Sequence, residues 1–293
     1  MTAPRALLKA WNIQARKQLG QNFLNDANLA RTIVNRAAIT ENETVLEIGP
    51  GLGAMTVPAA KAARRVFAVD KDGRIVELLK TELLAAGVDN VDIREADILR
   101  TNLDAIAHDA GSPLVVLGNL PYNISSQVVV RLIHARKGID RAVLMLQKEM
   151  AQRICCGAGS RDYGRLSVML GYCAQTQILM QVRADRFFPA PKVDSTVIGI
   201  VFLRRPETTA DDEALLFKVI KAAFGKRRKT LRNALSQSAL NLNAADCLQI
   251  LNDVEIDPMR RAESLCVSEF VHLSNRIGQY YSGVPVRTKT RWS

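Results

Sequence analysis

Short apolar runs alternate with amphipathic stretches between residues 43 and 203. Residues 75–86 carry an apolar stripe at helical spacing, as a helix packed on a sheet does. The alternation predicts a doubly wound α/β domain with a mostly parallel seven-stranded sheet. The last two strands have no helix between them, so we expect an antiparallel hairpin at the sheet edge. The predicted strands are Thr44–Ile48, Arg65–Val69, Val91–Glu95, Leu114–Leu117, Arg141–Gln147, Gln177–Val182 and Ser195–Leu203.

The strand pattern ends at Pro206, which is followed by a polar stretch typical of a linker and a helix start. Beyond this point the periodicity is helical. We therefore expect two domains, an α/β domain over residues 1–205 and a small all-helical domain over residues 206–293. The predicted helices are Asp211–Ala223, Lys226–Ser238, Ala244–Asn252 and Ser268–Ser282.

Composition excludes several classes of protein. A hydrophobic content of 48% with 24% charged residues in 293 residues is that of a folded chain with a buried core. No apolar run is long enough to cross a membrane, and the N-terminus lacks a secretory signal, so we expect a cytoplasmic protein without a membrane partner. The five cysteines and three histidines lack ligand or disulfide spacing, which predicts no metal site. We expect a monomer.

Positive charge points to a polyanionic partner. Lys and Arg number 40 against 29 Asp and Glu, a net charge of +11, and nucleic acid is the leading candidate. A basic surface that only maintains solubility is the alternative. One acid-free stretch concentrates the charge, and a helix from Lys226 would align Arg228 with Arg232 to contact phosphates. The candidate RNA-binding residues are Lys221, Lys226, Arg227, Arg228, Lys229 and Arg232.

A glycine-rich turn follows the first predicted strand, in the sequence Glu-Ile-Gly-Pro-Gly-Leu-Gly at 47–53. Such turns bind ligands at the carboxyl ends of parallel strands. Asp70, at the end of the next strand, is placed to accept ribose hydroxyls, and Asp97 can receive an adenine amine. The combination favours a nucleoside cofactor. Pro50 removes an N–H that a pyrophosphate would use, which favours S-adenosyl-L-methionine, although a dinucleotide stays open.

The sequence Asn-Leu-Pro-Tyr at 119–122 follows the fourth strand and faces the same crevice. An adenine amine must pyramidalise before it attacks a methyl group, and acceptors favour that change. The Asn119 side-chain oxygen and the Leu120 carbonyl can accept its hydrogens, Pro121 fixes the turn, and Tyr122 can stack on the base. An ordinary Asn-x-Pro turn is the alternative.

These motifs resemble those of the bacterial small-subunit ribosomal RNA adenine dimethyltransferases. The resemblance covers nearly the whole chain and includes Gln-Leu-Gly-Gln-Asn-Phe-Leu at 18–24 and Phe-Phe-Pro-Ala-Pro-Lys-Val-Asp-Ser at 187–195. It implies a Rossmann-like, S-adenosylmethionine-dependent methyltransferase domain joined to an rRNA-binding helical domain. The implied reaction transfers two methyl groups to each of two adjacent adenosines in a hairpin near the 3′ end of 16S rRNA, in the small ribosomal subunit.

The same resemblance implies roles for individual residues. Asn119 and Tyr122 match the catalytic motif, and Phe187 is a second aromatic residue for stacking on a flipped base. Asp70 stands where the family often has glutamate. The shorter side chain still carries a carboxylate, so we expect this difference to affect the affinity for the cofactor and not its identity. The implied cofactor contacts are Asn22, Leu24, Gly49, Asp70, Asp97 and Asn119, with Gly51 completing the loop.

Three other functions remain open at this point. A related group of methyltransferases modifies large-subunit rRNA and confers macrolide resistance, and it shares the glycine loop and Asn-Leu-Pro-Tyr. A ribosome-assembly or transcription factor can use the fold to bind RNA without catalysis. A nicotinamide-dependent oxidoreductase shares the glycine pattern, but the crevice offers no residues suited to hydride transfer.

Overall fold

A computed structural model of the chain describes residues 3–226 and 228–283. The chain divides into two compact units. One unit comprises the residues up to 152 together with 175–204, and the other comprises 153–174 and the residues from 205 onward. The sequence analysis places 153–174 in the first domain, whereas the structure groups this segment with the helical unit. Within the described ranges, no helix combines the length and apolar composition that crossing a bilayer requires.

A seven-stranded sheet forms the α/β unit, and a separate two-stranded ribbon joins β1 to β8. The seven predicted strands are confirmed. The strands of the described chain are β1 Phe23–Leu24, β2 Thr44–Ile48, β3 Arg65–Asp70, β4 Val91–Glu95, β5 Leu114–Asn119, β6 Ile139–Gln147, β7 Ala174–Val182, β8 Phe187–Phe188 and β9 Ser195–Phe202. The helices that precede β7 are α1 Pro4–Ala10, α2 Ala27–Arg36, α3 Thr56–Ala62, α4 Gly73–Ala85, α5 Leu103–Ala110, α6 Ser125–His134, α7 Lys148–Cys155 and α8 Arg165–Cys173.

The order of strands in the large sheet determines where a ligand can bind. It runs β4-β3-β2-β5-β6-β9-β7. The first five of these strands pair in parallel, β9 pairs antiparallel with β6, and β7 lies beside β9 at the edge, as the predicted hairpin requires. The direction of the winding reverses between β2 and β5. That reversal opens a crevice at the carboxyl ends of the two strands, where Gly49 and Asn119 lie.

Burial explains the central strands. Every residue of β2 is buried, and so are the first five residues of β5. A parallel strand covered on both faces is buried along its length in this way, and most of its residues are therefore apolar. Helix α4 covers the sheet and buries Ile75, Leu78 and Leu79 in the core. The Asp72 side chain caps the start of this helix by accepting a hydrogen bond from the Arg74 N–H.

The helical unit also contains α9 Glu213–Ala223, α10 Leu231–Ser236, α11 Ala244–Asp253 and α12 Val267–Tyr281. Segment 153–174 joins this unit because α8 packs against α9 and α12: the rings of Tyr172 and Phe217 meet edge to face at 6.2 Å, and Gly171 lies against Val267. Three of the four predicted helices match the structure closely.

The predicted helix 226–238 is wrong at its start. Lys226, Arg228 and Lys229 form turns and bends, and α10 begins only at Leu231, after an extended Thr230. Like-charged neighbours repel each other in a helix, and no acid caps this stretch, which explains why the helix does not begin at the cations. Arg228 and Arg232 therefore do not share a helix face.

Candidate functional site

An open cavity of about 210 Å³ lies at the carboxyl ends of the parallel strands. It is bounded by an N-terminal segment, the glycine loop, and the residues that follow β3, β4 and β5. All seven predicted cofactor residues line it, namely Asn22, Leu24, Gly49, Gly51, Asp70, Asp97 and Asn119. The lining also includes residues to which the sequence analysis assigns no role, namely Pro4, Gln18, Gln21, Lys71 and Asn123.

The glycine loop adopts a backbone that favours glycine. Gly49, Gly51 and Gly53 have φ values of +68°, +55° and +85°. The ring of Phe23 lies so close to Gly51 that a β-carbon there would stand 3.0 Å from its Cδ1 atom. The loop therefore leaves its backbone open to the cavity on one side and supports the N-terminal segment on the other.

Asp70 ends β3 with its carboxylate in the cavity wall. Its Oδ1 atom accepts a hydrogen bond of 2.9 Å from the Asp72 N–H. Burial raises the pKa of the Asp70 carboxyl, and the nearby Asp72 charge adds to this rise, while bonds from backbone N–H groups oppose it. Hydroxyl groups of a ligand could donate hydrogen bonds to this carboxylate and so stabilise its charge.

Asp97 follows β4 and is held from two sides. Its Oδ1 atom accepts the Leu99 N–H at 2.9 Å, and its Oδ2 atom pairs with the Lys71 ammonium at 2.8 Å. The hydrogen bond from Lys71 is the main reason that the pKa of Asp97 is lowered. The group is thus an ionised acceptor at neutral pH, as binding an adenine amine requires.

The N-terminal segment 18–24 is anchored to both sides of the cavity. In the ribbon, Phe23 pairs with Phe188 and Leu24 with Phe187. The Asn22 carbonyl accepts a hydrogen bond of 2.9 Å from Asn119 Nδ2. The resemblance at 18–24 was the only signal that could place this segment here, because a two-residue strand leaves no periodic pattern.

The same bond fixes the orientation of the Asn119 amide. Since Nδ2 donates to the Asn22 carbonyl, the amide oxygen is directed away from it and is the atom left to accept from a substrate amine. The Leu120 N–H donates to the Met145 carbonyl at 3.1 Å, and the Leu120 side chain is buried. The buried side chain leaves only the backbone of Leu120 for contact with a ligand, and Pro121 lines the cavity beside Asn119.

Tyr122 is half-buried, and its hydroxyl lies 2.9 Å from the hydroxyl of Ser195, which is fully buried at the start of β9. Burial raises the pKa of the Tyr122 phenol. The Ser125 hydroxyl donates to the Tyr122 carbonyl at 3.1 Å. The ring is therefore neutral and held at its outer end, which suits a stacking surface better than an acid or base.

Phe187 is placed differently from an open stacking surface. Its side chain is 4% exposed and packs in the main core with Leu24, Met145 and Val197. The next residue, Phe188, is half-buried and packs against Phe23. A base could reach the Phe187 ring only if this packing changed, so its predicted stacking role stays a prediction.

Glu47 is a buried acid that sequence reasoning did not assign a role. It precedes the glycine loop on β2 and is completely buried. In the described part of the chain its carboxylate lacks a well-formed hydrogen bond, and the Thr56 hydroxyl beside it offers only a weak one. Burial raises the pKa of Glu47 to about 7; the Thr56 hydroxyl opposes this rise, and the charge of Asp70 adds to it.

The candidate RNA-binding cations lie in the helical unit. Lys221 is exposed at the end of α9, and Lys226, Arg228 and Lys229 are exposed in the turn that follows. Lys226 donates to Gln237 Oε1 at 2.7 Å. Arg232 is half-buried on α10. Arg227 lies outside the described residues.

Comparisons with known proteins agree with this geometry. A family model described as Ribosomal RNA adenine dimethylase matches residues 12–273. The Ribosomal RNA small subunit methyltransferase A of Desulforapulum autotrophicum is 49% identical over 277 residues, covering 94% of this chain and 97% of that protein. The protein of the same name from Geobacillus kaustophilus is 38% identical over 94% of this chain and 96% of its own length.

Two solved structures have the same fold. A dimethyladenosine transferase from Plasmodium falciparum matches with a TM-score of 0.74 and 27% identity, covering 87% of this chain and 98% of that one. The 23S rRNA methyltransferase ErmE matches with a TM-score of 0.65 and 23% identity, over 88% of this chain and all of the other, and supports the fold alone. By the extent of the family match and the identity to its members, the chain belongs to the ribosomal RNA adenine dimethylase family.

Proposed function

We propose that the protein transfers methyl groups from S-adenosyl-L-methionine to the N6 amines of two adjacent adenosines near the 3′ end of 16S rRNA. The observation that carries the proposal is the Asn119 amide, whose oxygen is oriented by the Asn22 carbonyl beside a cavity that holds two carboxylates. The relatives named as small-subunit rRNA methyltransferases support the choice of substrate. We expect it to act as a cytoplasmic monomer.

The residues of the cavity fit this cofactor. Asp70 would accept the ribose hydroxyls, Asp97 would accept the adenine amine, and the backbone at Gly49 and Gly51 would lie against the ligand without a clash from a β-carbon. Pro50 offers no N–H to a pyrophosphate, which disfavours a dinucleotide. When bound, S-adenosylmethionine supplies a methyl group on a positively charged sulfur.

The protein's own residues would prepare the adenine amine. The Asn119 oxygen and the Leu120 carbonyl accept its two hydrogens and favour the pyramidal geometry that frees the nitrogen lone pair. The base stacks on the ring of Tyr122, and the hydrogen bond between the Tyr122 and Ser195 hydroxyls fixes this ring in place. The amine becomes acidic once its nitrogen carries positive charge, so its proton can leave to solvent without a strong base. Alignment supplies much of the acceleration.

Binding to RNA would involve the helical domain, for which we propose residues 206–293. Its exposed cations at Lys221, Lys226, Arg228 and Lys229 would contact phosphates without reading sequence. Arg227 and Arg232 belong to the same proposal. Such contacts position an enzyme on a folded RNA and leave the choice of base to the catalytic crevice.

The experiment that tests the function uses radiolabelled S-adenosylmethionine and small ribosomal subunits that lack the modification. After incubation, the RNA is digested and the labelled nucleoside is identified. We expect N6,N6-dimethyladenosine from the small-subunit RNA. Large subunits supplied in parallel serve as the competing substrate, and label found in their RNA instead would favour the macrolide-resistance group of enzymes.

A further inference from the structure

Asp72 is a buried carboxylate next to the cavity but outside its lining. The side chain is 2% exposed. Its Oδ2 atom accepts from Gln21 Nε2 at 3.0 Å and from Arg74 at 2.7 Å, and its Oδ1 atom accepts from Arg74 Nε at 3.0 Å. The Arg74 guanidinium is the main reason that the pKa of Asp72 is lowered to about 2. The group is therefore charged throughout the physiological range.

The hydrogen bonds of Asp72 connect two walls of the cavity. Its backbone N–H donates to Asp70 Oδ1 at 2.9 Å, which links it to the proposed ribose acceptor. Its carboxylate binds the side chain of Gln21, a lining residue of the N-terminal segment. The Gln21 Oε1 atom accepts the Arg16 N–H at 2.7 Å, so both ends of this amide are engaged.

The path continues to the catalytic motif. Asn22 directly follows Gln21, and its carbonyl accepts from Asn119 Nδ2 at 2.9 Å. A displacement of Gln21 would move that carbonyl and release the Asn119 amide from its orientation. The energy of a hydrogen bond to a charged acceptor is large enough to hold the segment against such movement.

We propose that Asp72 is a positioning residue that, through Gln21, sets the place of the Asn22 carbonyl and thereby the orientation of the Asn119 amide. The inference rests on the proposed function, because it concerns binding and transfer at that site. The competing role is the capping of α4, which Asp72 also performs. Asparagine caps a helix about as well as aspartate, so Asp72→Asn retains the cap and removes the charge.

The experiment measures the Kd of S-adenosylmethionine by calorimetry and the single-turnover rate of methylation for Asp72→Asn, Gln21→Glu and the double variant. We expect each single variant to bind about ten-fold more weakly and to turn over more slowly, because a charge-assisted bond is lost or replaced by repulsion. In the double variant the introduced amide can donate to the introduced carboxylate at an unchanged net charge. Its affinity should therefore return to within about three-fold of the wild type.

Arg74→Leu is the matched control, since it removes the two-fold guanidinium contact to Asp72 and leaves both the Gln21 bond and the longer ion pair with Arg16 at 3.8 Å. It should lower the melting temperature without changing cofactor affinity. If Asp72→Asn does not fold, Gln21→Met removes the same hydrogen bond between Gln21 and Asp72 by a change at a half-buried residue, which the fold tolerates better. Wild-type affinity and rate in Asp72→Asn, or a double variant no better than the single ones, would overturn the inference while the function stands. A wild-type protein that binds no S-adenosylmethionine would instead overturn the proposed function, and this inference with it.

Discussion

The amide of Asn119 has one orientation that satisfies its neighbour. The Asn22 carbonyl can only accept, so Nδ2 must face it and Oδ1 must face the substrate side. The sequence motif predicts an acceptor at this position, but it cannot predict the partner that fixes the acceptor, because that partner lies in the N-terminal segment. The donor half of the amide is thus as important as the acceptor half.

This division of roles predicts that Asn119→Asp is nearly as harmful as Asn119→Ala. The aspartate keeps an acceptor but places an oxygen against the Asn22 carbonyl, where repulsion would turn the group away. We expect both variants to lose about 100-fold or more in single-turnover rate, by analogy with the loss of one oriented hydrogen-bonding group elsewhere. RNA binding, measured by filter retention, should change little. A near wild-type rate in Asn119→Asp would contradict the orientation.

Glu47 should make the stability of the protein fall as the pH rises from about 4.5 to about 7. Its pKa is raised from the ordinary value of 4.5 to about 7, so the folded state keeps a proton that the unfolded state releases in this window. The linked loss of unfolding free energy is at most about 3–4 kcal/mol. Urea titrations across pH should show the difference between Glu47→Gln and the wild type growing in favour of the variant, and parallel curves would contradict the shift.

At the scale of elements, patterns of burial were predictable and local charge effects were not. The apolar runs of β2, β3, β5 and β6 predict strands because burial on both faces demands such runs, whereas β4 at the sheet edge has no fully buried residue. The start of α10 was missed because the acid-free run of cations looked helical by spacing, while Thr230 and the preceding turn decide where the helix begins. The ribbon of β1 and β8 has two residues in each strand and leaves no pattern at all.

The glycine loop gives a prediction with an internal control. In Gly51→Ala, a methyl group enters a left-handed backbone and meets the Phe23 ring at 3.0 Å, so the wall of the cavity must shift. Gly87→Ala carries the same backbone strain at φ +65°, and no other part of the described chain comes within 4 Å of the new methyl group. Both changes should lower stability by about 1–2 kcal/mol. Only Gly51→Ala should weaken S-adenosylmethionine binding in calorimetry, and equal affinities in the two variants would contradict the placement of the loop.

At the scale of the whole molecule, the excess of positive charge has two possible meanings. A net charge of +11 can serve solubility anywhere on the surface, or it can bind RNA where it is concentrated. The exposed cations after α9 lie in the helical unit, while other exposed cations, such as Arg36 and Lys137, precede strands of the sheet and so lie at the edge opposite the cavity. Charge reversal at each of these two surfaces therefore distinguishes RNA binding from a general contribution to solubility.

The charge-reversal pair Arg228→Glu/Lys229→Glu should weaken binding to small ribosomal subunits and flatten its dependence on salt. Each lost phosphate contact is expected to reduce the slope of log affinity against log salt by roughly 0.7–0.9. Arg36→Glu/Lys137→Glu makes the same change in net charge and should leave the slope close to that of the wild type. Binding of S-adenosylmethionine should be unaffected in both pairs, which shows that the α/β unit is intact. If both pairs flatten the slope equally, the effect comes from total charge, and the RNA-binding residues must be sought outside the turn that follows α9.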